Sequence, residues 1–315
     1  MTLVSTPSNP VPDGAVSGFL KTRDGRSIRF ARFAPPAGRK GTLCVFQGRS
    51  EFMEKYFEVA QDARARGFAV AMIDWRGQGL SDRALRDPRK GHVGSFAEYD
   101  IDIETFMKEV VLPDCPPPVF ALGHSMGGAV LLRIAHQGRR WFDRIVLSAP
   151  LIGLERHSAF GAGRLAARTL RMLGLGRAYI PGGGATAVPS LPYVGNPLTS
   201  DPVRYARTAA IVDAEPKLGL GAPTIGWVDA MFKVMRQFAD PSYPARIRQP
   251  ILIVAAGQDA VVSTPAISQY AVRLRVGSHL VIAGARHELL MEQDLYRSQF
   301  WAAFDAFVPG SRLFG

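Results

Sequence analysis

Hydrophobic residues in this chain gather into short dense runs, separated by longer stretches in which they recur every three or four positions. Residues 42–47, 68–73, 119–122, 145–148, 251–256 and 280–283 are the dense runs. Runs this short and this uniformly apolar predict strands buried on both faces rather than strands with one wet face. Between them, Tyr56, Phe57, Val59 and Ala60 predict a helix over 54–66 with Gly67 as its stop, and Phe96, Tyr99, Ile103, Phe106 and Val110 predict a helix over 96–111. Val130, Leu131 and Ile134 place the apolar face of a helix over 126–136, and two further helices are expected at 265–274 and 291–307. At the start, 16–20 and 27–33 are strand-like, and Asp24-Gly25 between them suits a hairpin turn. Strand followed by helix, repeated, is the pattern of βαβ units. The expected class is therefore α/β, with a mostly parallel central sheet and helices on both faces.

The alternation stops at residue 151 and resumes near 241. Between those points the pattern gives helical pieces broken by Gly174, Gly176 and a Gly/Pro-rich loop over 181–197. The expected organisation is a core of residues 1–150 and 241–315 with a mainly helical lid inserted at 151–240, since insertions at the carboxyl edge of a parallel sheet lie over the site built there. Within the lid, Arg164, Arg168 and Arg171 are expected on one helical face opposite Leu165, Met172 and Leu173. A solvated basic stripe is the plain reading, and contact with lipid head groups the functional one.

The dense run at 119–122 leads into Gly123-His124-Ser125-Met126-Gly127 and then a helix. A serine between two glycines at a sharp strand-to-helix turn is the arrangement of a nucleophile elbow. A serine hydroxyl needs a general base, itself oriented by a third group, and in a parallel sheet all three must lie at carboxyl ends of strands. That filters six histidines. His136 falls inside a helix, His279 is expected before its strand and so at the wrong end, and His124 points away if Ser125 points up. His287, shortly after the last strand, is the candidate base. Asp259 follows the run 251–256 and gives the chain order Ser, Asp, His; Asp74 also ends a strand and is the rival acid, though its turn-rich tail suits a structural corner. The oxyanion needs two backbone N–H donors, expected from Met126 and from Arg49, with Gly48 permitting the turn.

Composition adds limits. The 315 residues, 47% hydrophobic, can bury a large core. No run of eighteen apolar residues marks a membrane helix, and the start lacks a secretory pattern. Two cysteines, Cys44 in a strand and Cys115 in a loop, suggest neither a metal site nor a disulfide framework. The expected location is the cytoplasm, with peripheral contact at the inner face of the membrane as the extension. A net charge of +11 favours anionic surroundings. The basic residues are dispersed and carry no nucleic-acid module, so a basic solvated surface with weak attraction to anionic membrane is expected, and no nucleic-acid partner. No P-loop or complete dinucleotide fingerprint is present, and no cofactor or metal is expected.

Together, Gly123-His124-Ser125-Met126-Gly127-Gly128, Asp74-x-Arg76-Gly77-x-Gly79-x-Ser81, Gly257-x-Asp259-x-Val261-Val262 and Arg286-His287-Glu288 resemble the α/β-hydrolase fold. Within it they are most similar to the lysophospholipase and monoacylglycerol lipase branch, grouped with serine aminopeptidases. The segments Asn196-Pro197-Leu198-Thr199-Ser200-Asp201, Arg204-Tyr205 and Pro223-Thr224-x-Gly226-Trp227 look like the bacterial lysophospholipase type. The resemblance implies Ser125 as nucleophile, Asp259 as orienting acid and His287 as base in a hydrolase of carboxylic esters bearing a single acyl chain. One departure is visible: Gln47-Gly48-Arg49 stands where many relatives have His-Gly. Short-chain or aryl ester hydrolysis, aminopeptidase activity and acyl transfer are the alternatives on the same triad. An aminopeptidase would need an acidic pocket for the substrate amine, for which Glu155 and Glu215 are the candidates.

Overall fold

The computed structural model of the chain describes residues 3–35, 40–155 and 158–309. His157 lies outside the described residues. Eight strands form: β1 (Ala15–Lys21), β2 (Ser27–Phe33), β3 (Thr42–Phe46), β4 (Ala69–Ile73), β5 (Val119–His124), β6 (Arg144–Ser148), β7 (Ile251–Ala256) and β8 (Gly277–Ile282). They make one sheet in the order β1-β2-β4-β3-β5-β6-β7-β8, with β2 antiparallel to both its neighbours and all pairings from β4 to β8 parallel.

Each inner strand serves two cores because successive side chains point to opposite faces. Cys44, Phe46, Ala71 and Ile73 pack on one side with α2 (Ala97–Phe106), α3 (Met126–His136) and α6 (Ile225–Phe238). Leu43, Val45, Val70 and Met72 pack on the other with α1 (Phe57–Ala65) and α8 (Asp294–Phe307). The remaining helices of eight residues or more are α4 (Ser158–Met172), α5 (Pro202–Ala214) and α7 (Thr264–Ala271).

Three expectations about elements change. The helix over 96–111 is α-helical only to Phe106 and continues as one π turn, Met107–Val111, because the buried side of both spacings is apolar and the pattern does not separate them. The last strand begins at Gly277, not at 280, so His279 sits inside β8 rather than before it. Its first residues are polar and exposed, and their register comes from pairing with Ile251, Leu252 and Ile253 of β7 rather than from their own burial. Among the described residues His279 finds Ser268, at 3.5 Å, and not the serine elbow.

The third change concerns α4. Arg171 does not join Arg164 and Arg168 in a solvated stripe: its Nη1 donates to Asp229 on α6 at 2.6 Å and to the carbonyl of Gly94 at 3.1 Å. Ala167 is buried and a Cβ at Gly163 would lie 3.5 Å from Phe232, so the small residues make the inward face. Leu165, Met172 and Leu173 are left outward, 66%, 78% and 70% exposed. Between β6 and β7 the described residues form helices and loops but no strand.

Candidate active site

The end of β5 forces Ser125 into an unusual backbone conformation, φ 48° and ψ −112°, before α3 begins. Such a conformation is strained for any residue with a Cβ and survives only when surroundings dictate it. Here the surroundings do so: Ser125 N–H donates to Ser148 O at 3.0 Å, and its carbonyl accepts from Leu151 N at 3.0 Å. The glycines either side are obligatory. A Cβ on Gly127 would lie 2.2 Å from the Phe46 carbonyl oxygen, and one on Gly123 would lie 2.6 Å from Leu131 Cδ1.

Opposite the elbow, His287 follows β8 by a short loop. Its Nδ1 lies 2.8 Å from Asp259 Oδ2 and its Nε2 lies 3.1 Å from Ser125 Oγ. A carboxylate only accepts, so Nδ1 carries the proton and Nε2 is free to accept one from the serine. Asp259 is oriented in turn: its Oδ1 accepts from Val261 N at 2.8 Å and Val262 N at 2.9 Å. Burial pushes that carboxyl up, but the bond to His287 and the two backbone donors outweigh it and hold the carboxyl below its ordinary range. Asp259 therefore stays ionised.

Asp74 is elsewhere and fully engaged. Its Oδ2 accepts from Arg29 Nε at 2.7 Å and Leu80 N at 2.9 Å, and its Oδ1 from Met53 N at 3.0 Å. Arg29 continues to Glu54 through two bonds of 2.8 Å, and both side chains are without solvent exposure. The rival acid is thus part of a buried ionic corner below β2.

Arg49 and Met126 both line the cavity with Ser125, and neither backbone N–H has a protein acceptor among the described residues. The loop bearing Arg49 is held in place from below. Gln78 Nε2 donates to the carbonyls of Gly48 (2.7 Å) and Glu51 (2.9 Å), Glu51 Oε2 accepts from Gly48 N at 2.5 Å, and Ser50 adopts a positive φ of 65°. The Asp74-to-Ser81 turn noted in the sequence therefore acts as a prop for the loop. Gln47 is buried; its carbonyl accepts from Trp75 Nε1 at 3.0 Å, while its side-chain amide has no partner among the described residues.

The sequence did not disclose a buried ionic bridge between the two loops. Lys55 Nζ donates to Glu51 at 2.7 Å and to Glu288 at 2.6 Å, and Tyr56 OH donates to Glu51 at 2.7 Å. Burial pushes the Glu51 carboxyl up, but Lys55 and His124 overcome that and bring it down to about 2, whereas burial wins at Glu288 and its carboxyl is raised. The visible signal was the spacing of Glu51 and Lys55, four apart, and Glu288 next to His287. Asn196 to Ser200, between β6 and β7, brace the histidine loop: Arg286 Nη1 donates to the carbonyls of Asn196 (3.0 Å) and Thr199 (3.1 Å), and Glu288 N donates to Leu198 O at 2.8 Å.

These groups surround a cavity of about 240 Å³. Leu151, Leu154, Val261, Trp227 and Met231 make it apolar on one part; Glu51, Lys55, Thr199, Arg204 and Glu288 make it polar on another. Neither Glu155 nor Glu215 lines it, and the two acids that do already share Lys55. No group of metal-ligating side chains occurs among the described residues. The arrangement can present a serine oxygen to a carbonyl carbon, with a proton acceptor beside that serine and two N–H groups at the cavity wall that could meet the carbonyl oxygen.

A family model described as serine aminopeptidase, S33 matches residues 37–294. Lysophospholipase L2 of Escherichia coli strain K12 is 32% identical over 303 residues, covering 90% of this chain and 87% of that one. Monoacylglycerol lipase of Mycolicibacterium smegmatis is 25% identical over 276 residues, covering 86% and 89%. Among solved structures, a soluble variant of monoglyceride lipase from Saccharomyces cerevisiae, in complex with a substrate analogue, superposes with a TM-score of 0.74 at 18% identity, covering 93% of this chain and 96% of that one.

Proposed function

Because the chain belongs to the serine aminopeptidase S33 family and has the α/β-hydrolase fold, we propose that it is a serine hydrolase of carboxylic esters in single-acyl-chain lipids, lysophospholipids or monoacylglycerols. The observation that carries this is the hydrogen-bonded line Asp259–His287–Ser125 opening onto a cavity with an apolar part and a polar part. An alkyl chain and a polar alcohol are the two halves of such an ester, and the relatives named lysophospholipase and monoacylglycerol lipase point the same way.

In this reading Ser125 Oγ attacks the ester carbonyl while His287 Nε2 takes its proton. The N–H groups of Arg49 and Met126 hold the oxyanion, His287 returns the proton to the departing alcohol, and an acyl-enzyme remains. Water then attacks, its proton passing to His287, and the fatty acid leaves as Ser125 regains its hydrogen. Residues 151–240 act as the lid, contributing Leu154, Arg204 and Trp227 to the walls.

Product analysis tests this. Purified protein given equal amounts of lysophosphatidylcholine, a 1-monoacylglycerol, a short-chain aryl ester and an aminoacyl amide should release fatty acid from a lipid in preference to the others. Ser125→Ala should lower kcat by a factor on the order of 10⁶ with the fold retained. Turnover confined to the aryl ester or the amide would reject the lipid assignment, and an active Ser125→Ala protein would reject the nucleophile.

No helix among the described residues is long and apolar enough to cross a membrane. We propose that the protein instead meets anionic lipid through the outward face of α4, where Leu165, Met172 and Leu173 stand exposed beside the exposed Arg164 and Arg168. Co-sedimentation with phosphatidylglycerol vesicles should exceed that with phosphatidylcholine vesicles and drop sharply in Leu165→Asp/Met172→Asp. Equal sedimentation of native and variant chains would count against it.

A further inference from the structure

Three cationic side chains line the catalytic cavity, and two of them are already neutralised. Lys55 lies between Glu51 and Glu288 at 2.7 and 2.6 Å. Arg204 pairs with Glu58 at 2.6 Å, Asp201 at 2.8 Å and Asp294 at 2.7 Å. Arg49 is different. It makes no ion pair among the described residues.

What surrounds its guanidinium is neutral. Nη1 donates to Ser50 Oγ at 2.7 Å, Nη2 donates to the Gly221 carbonyl at 2.9 Å, and the Trp227 ring centroid, on a residue that also lines the cavity, lies 5.2 Å from Cζ. Its Nε–H is buried without an acceptor. Burial lowers its pKa to about 10 against slight support from Tyr99 and Tyr179, and even so it is charged at neutral pH. A cation largely but not wholly shielded from water, with dipoles and a π face but no counter-anion among the described residues, is left short of partners. Among the described residues, two hydrogen bonds use two of the five N–H donors of this guanidinium, leaving capacity for an anion.

We propose that Arg49 is the anion-recognition group of this site, so that the preferred substrates carry a phosphate on the alcohol side of the ester and neutral monoacylglycerols are the poorer ones. The inference rests on the ester-lipid reading above. It assigns the phosphate to the alcohol side because an alkyl chain packed against a desolvated guanidinium would leave the charge unanswered, whereas a phosphate oxygen answers it. Phosphate also matches the planar fork of arginine better than the point charge of lysine. The same residue would thus act twice, its backbone N–H on the oxyanion and its side chain on the head group.

The test is a ratio. Lauroyl lysophosphatidylcholine and 1-lauroylglycerol share an acyl chain, so kcat/KM for the first divided by that for the second isolates the head group and cancels any common loss from a disturbed oxyanion loop. In Arg49→Met this ratio should fall about 10- to 100-fold relative to the native chain, the worth of hydrogen bonds to a charged group, with Arg49→Lys in between. Dodecylphosphocholine should inhibit the native chain competitively, with a Ki weakened by a similar factor in Arg49→Met. An unchanged ratio in Arg49→Met would overturn the proposal, as would inhibition by inorganic phosphate as strong as that by dodecylphosphocholine, which would make the site one for a free ion. A native chain that hydrolyses neither lipid sinks the ester-lipid reading itself. One that hydrolyses both, with a ratio indifferent to Arg49, sinks only the role of Arg49.

Discussion

Two aspartates stand at the carboxyl ends of parallel strands on the same edge of the sheet, Asp74 after β4 and Asp259 after β7, and both are buried. They differ in how many of their acceptor positions the fold has used. Both oxygens of Asp74 are taken by groups that cannot leave: Arg29, the Met53 N–H and the Leu80 N–H. Even the turn that follows is shaped to it, since a Cβ on Gly79 would lie 2.0 Å from Oδ2. Asp259 commits one oxygen to two backbone donors and reserves the other for His287. A carboxylate saturated by the fold is structure. One that the fold orients but leaves an oxygen to spare can serve a moving proton.

Exchanging the carboxylate for an amide at each position should therefore hurt in opposite ways. At 259 the new side chain can keep its oxygen on Val261 and Val262 while turning an NH₂ toward His287. A donor facing Nδ1 drives the imidazole to the other tautomer, in which Nε2 holds the proton and cannot accept one from Ser125. Asp259→Asn should lower kcat about 10⁴-fold with little change in unfolding free energy. At 74 the amide removes one of the two carboxylates that face Arg29 and introduces a donor among donors. Asp74→Asn should cost about 3 kcal/mol of stability, measured by urea unfolding, with kcat close to native in the protein that remains folded. If Asp74→Asn were the catalytically dead protein and Asp259→Asn the unstable one, the roles given to the two acids would have to be exchanged.

The same contrast explains what could be read from the sequence. The inner strands were legible because both their faces are buried, so their apolar runs mark strand and carboxyl end together, and those ends place Ser125, Asp259 and His287 on one edge. The start of β8 was not, since Gly277, Ser278 and His279 are exposed and held only by backbone pairing to β7, which leaves no mark on side-chain character. The outward leucines of α4 were misleading for a related reason: periodicity shows that a helix has two faces, but the neighbour decides which turns inward, and α6 offers Asp229 to Arg171 there. The Glu51–Lys55–Glu288 bridge was illegible because Lys55 and Glu288 are 233 residues apart. Four-residue spacing of Glu and Lys ordinarily describes an exposed pair. It is buried only because the fold brings Glu288 of the histidine loop onto Lys55.

His124 sharpens the comparison from the other side, as a titratable group beside the nucleophile that the fold holds uncharged. It is buried, its ring centroid is 4.8 Å from that of His287, and its Nδ1, 3.1 Å from the Ser148 carbonyl oxygen, must carry the proton there. Burial above all, opposed by Glu51 and aided by His287 and Lys55, depresses its pKa to about 4. In the unfolded chain a histidine titrates near 6.5. Between about 6.5 and 4 the unfolded chain therefore binds a proton that the folded chain refuses, and stability falls as the pH falls through that window. Asp259 acts in the same direction only lower down: its depressed pKa supplies stability above the unfolded carboxylate value and loses it as pH drops through the folded one, below the range in question. From pH 7.5 to pH 5 the contribution of His124 should be about 2 kcal/mol. The native chain includes similar but separate terms from His92, His136 and His279, whose pKa values burial also lowers, so the difference from His124→Gln isolates this one. Unfolding free energies at the two pH values should show a steeper acid loss in the native chain than in the variant. Parallel losses would mean that His124 takes up its proton without resistance, and an imidazolium would then stand beside His287 as it accepts the proton of Ser125.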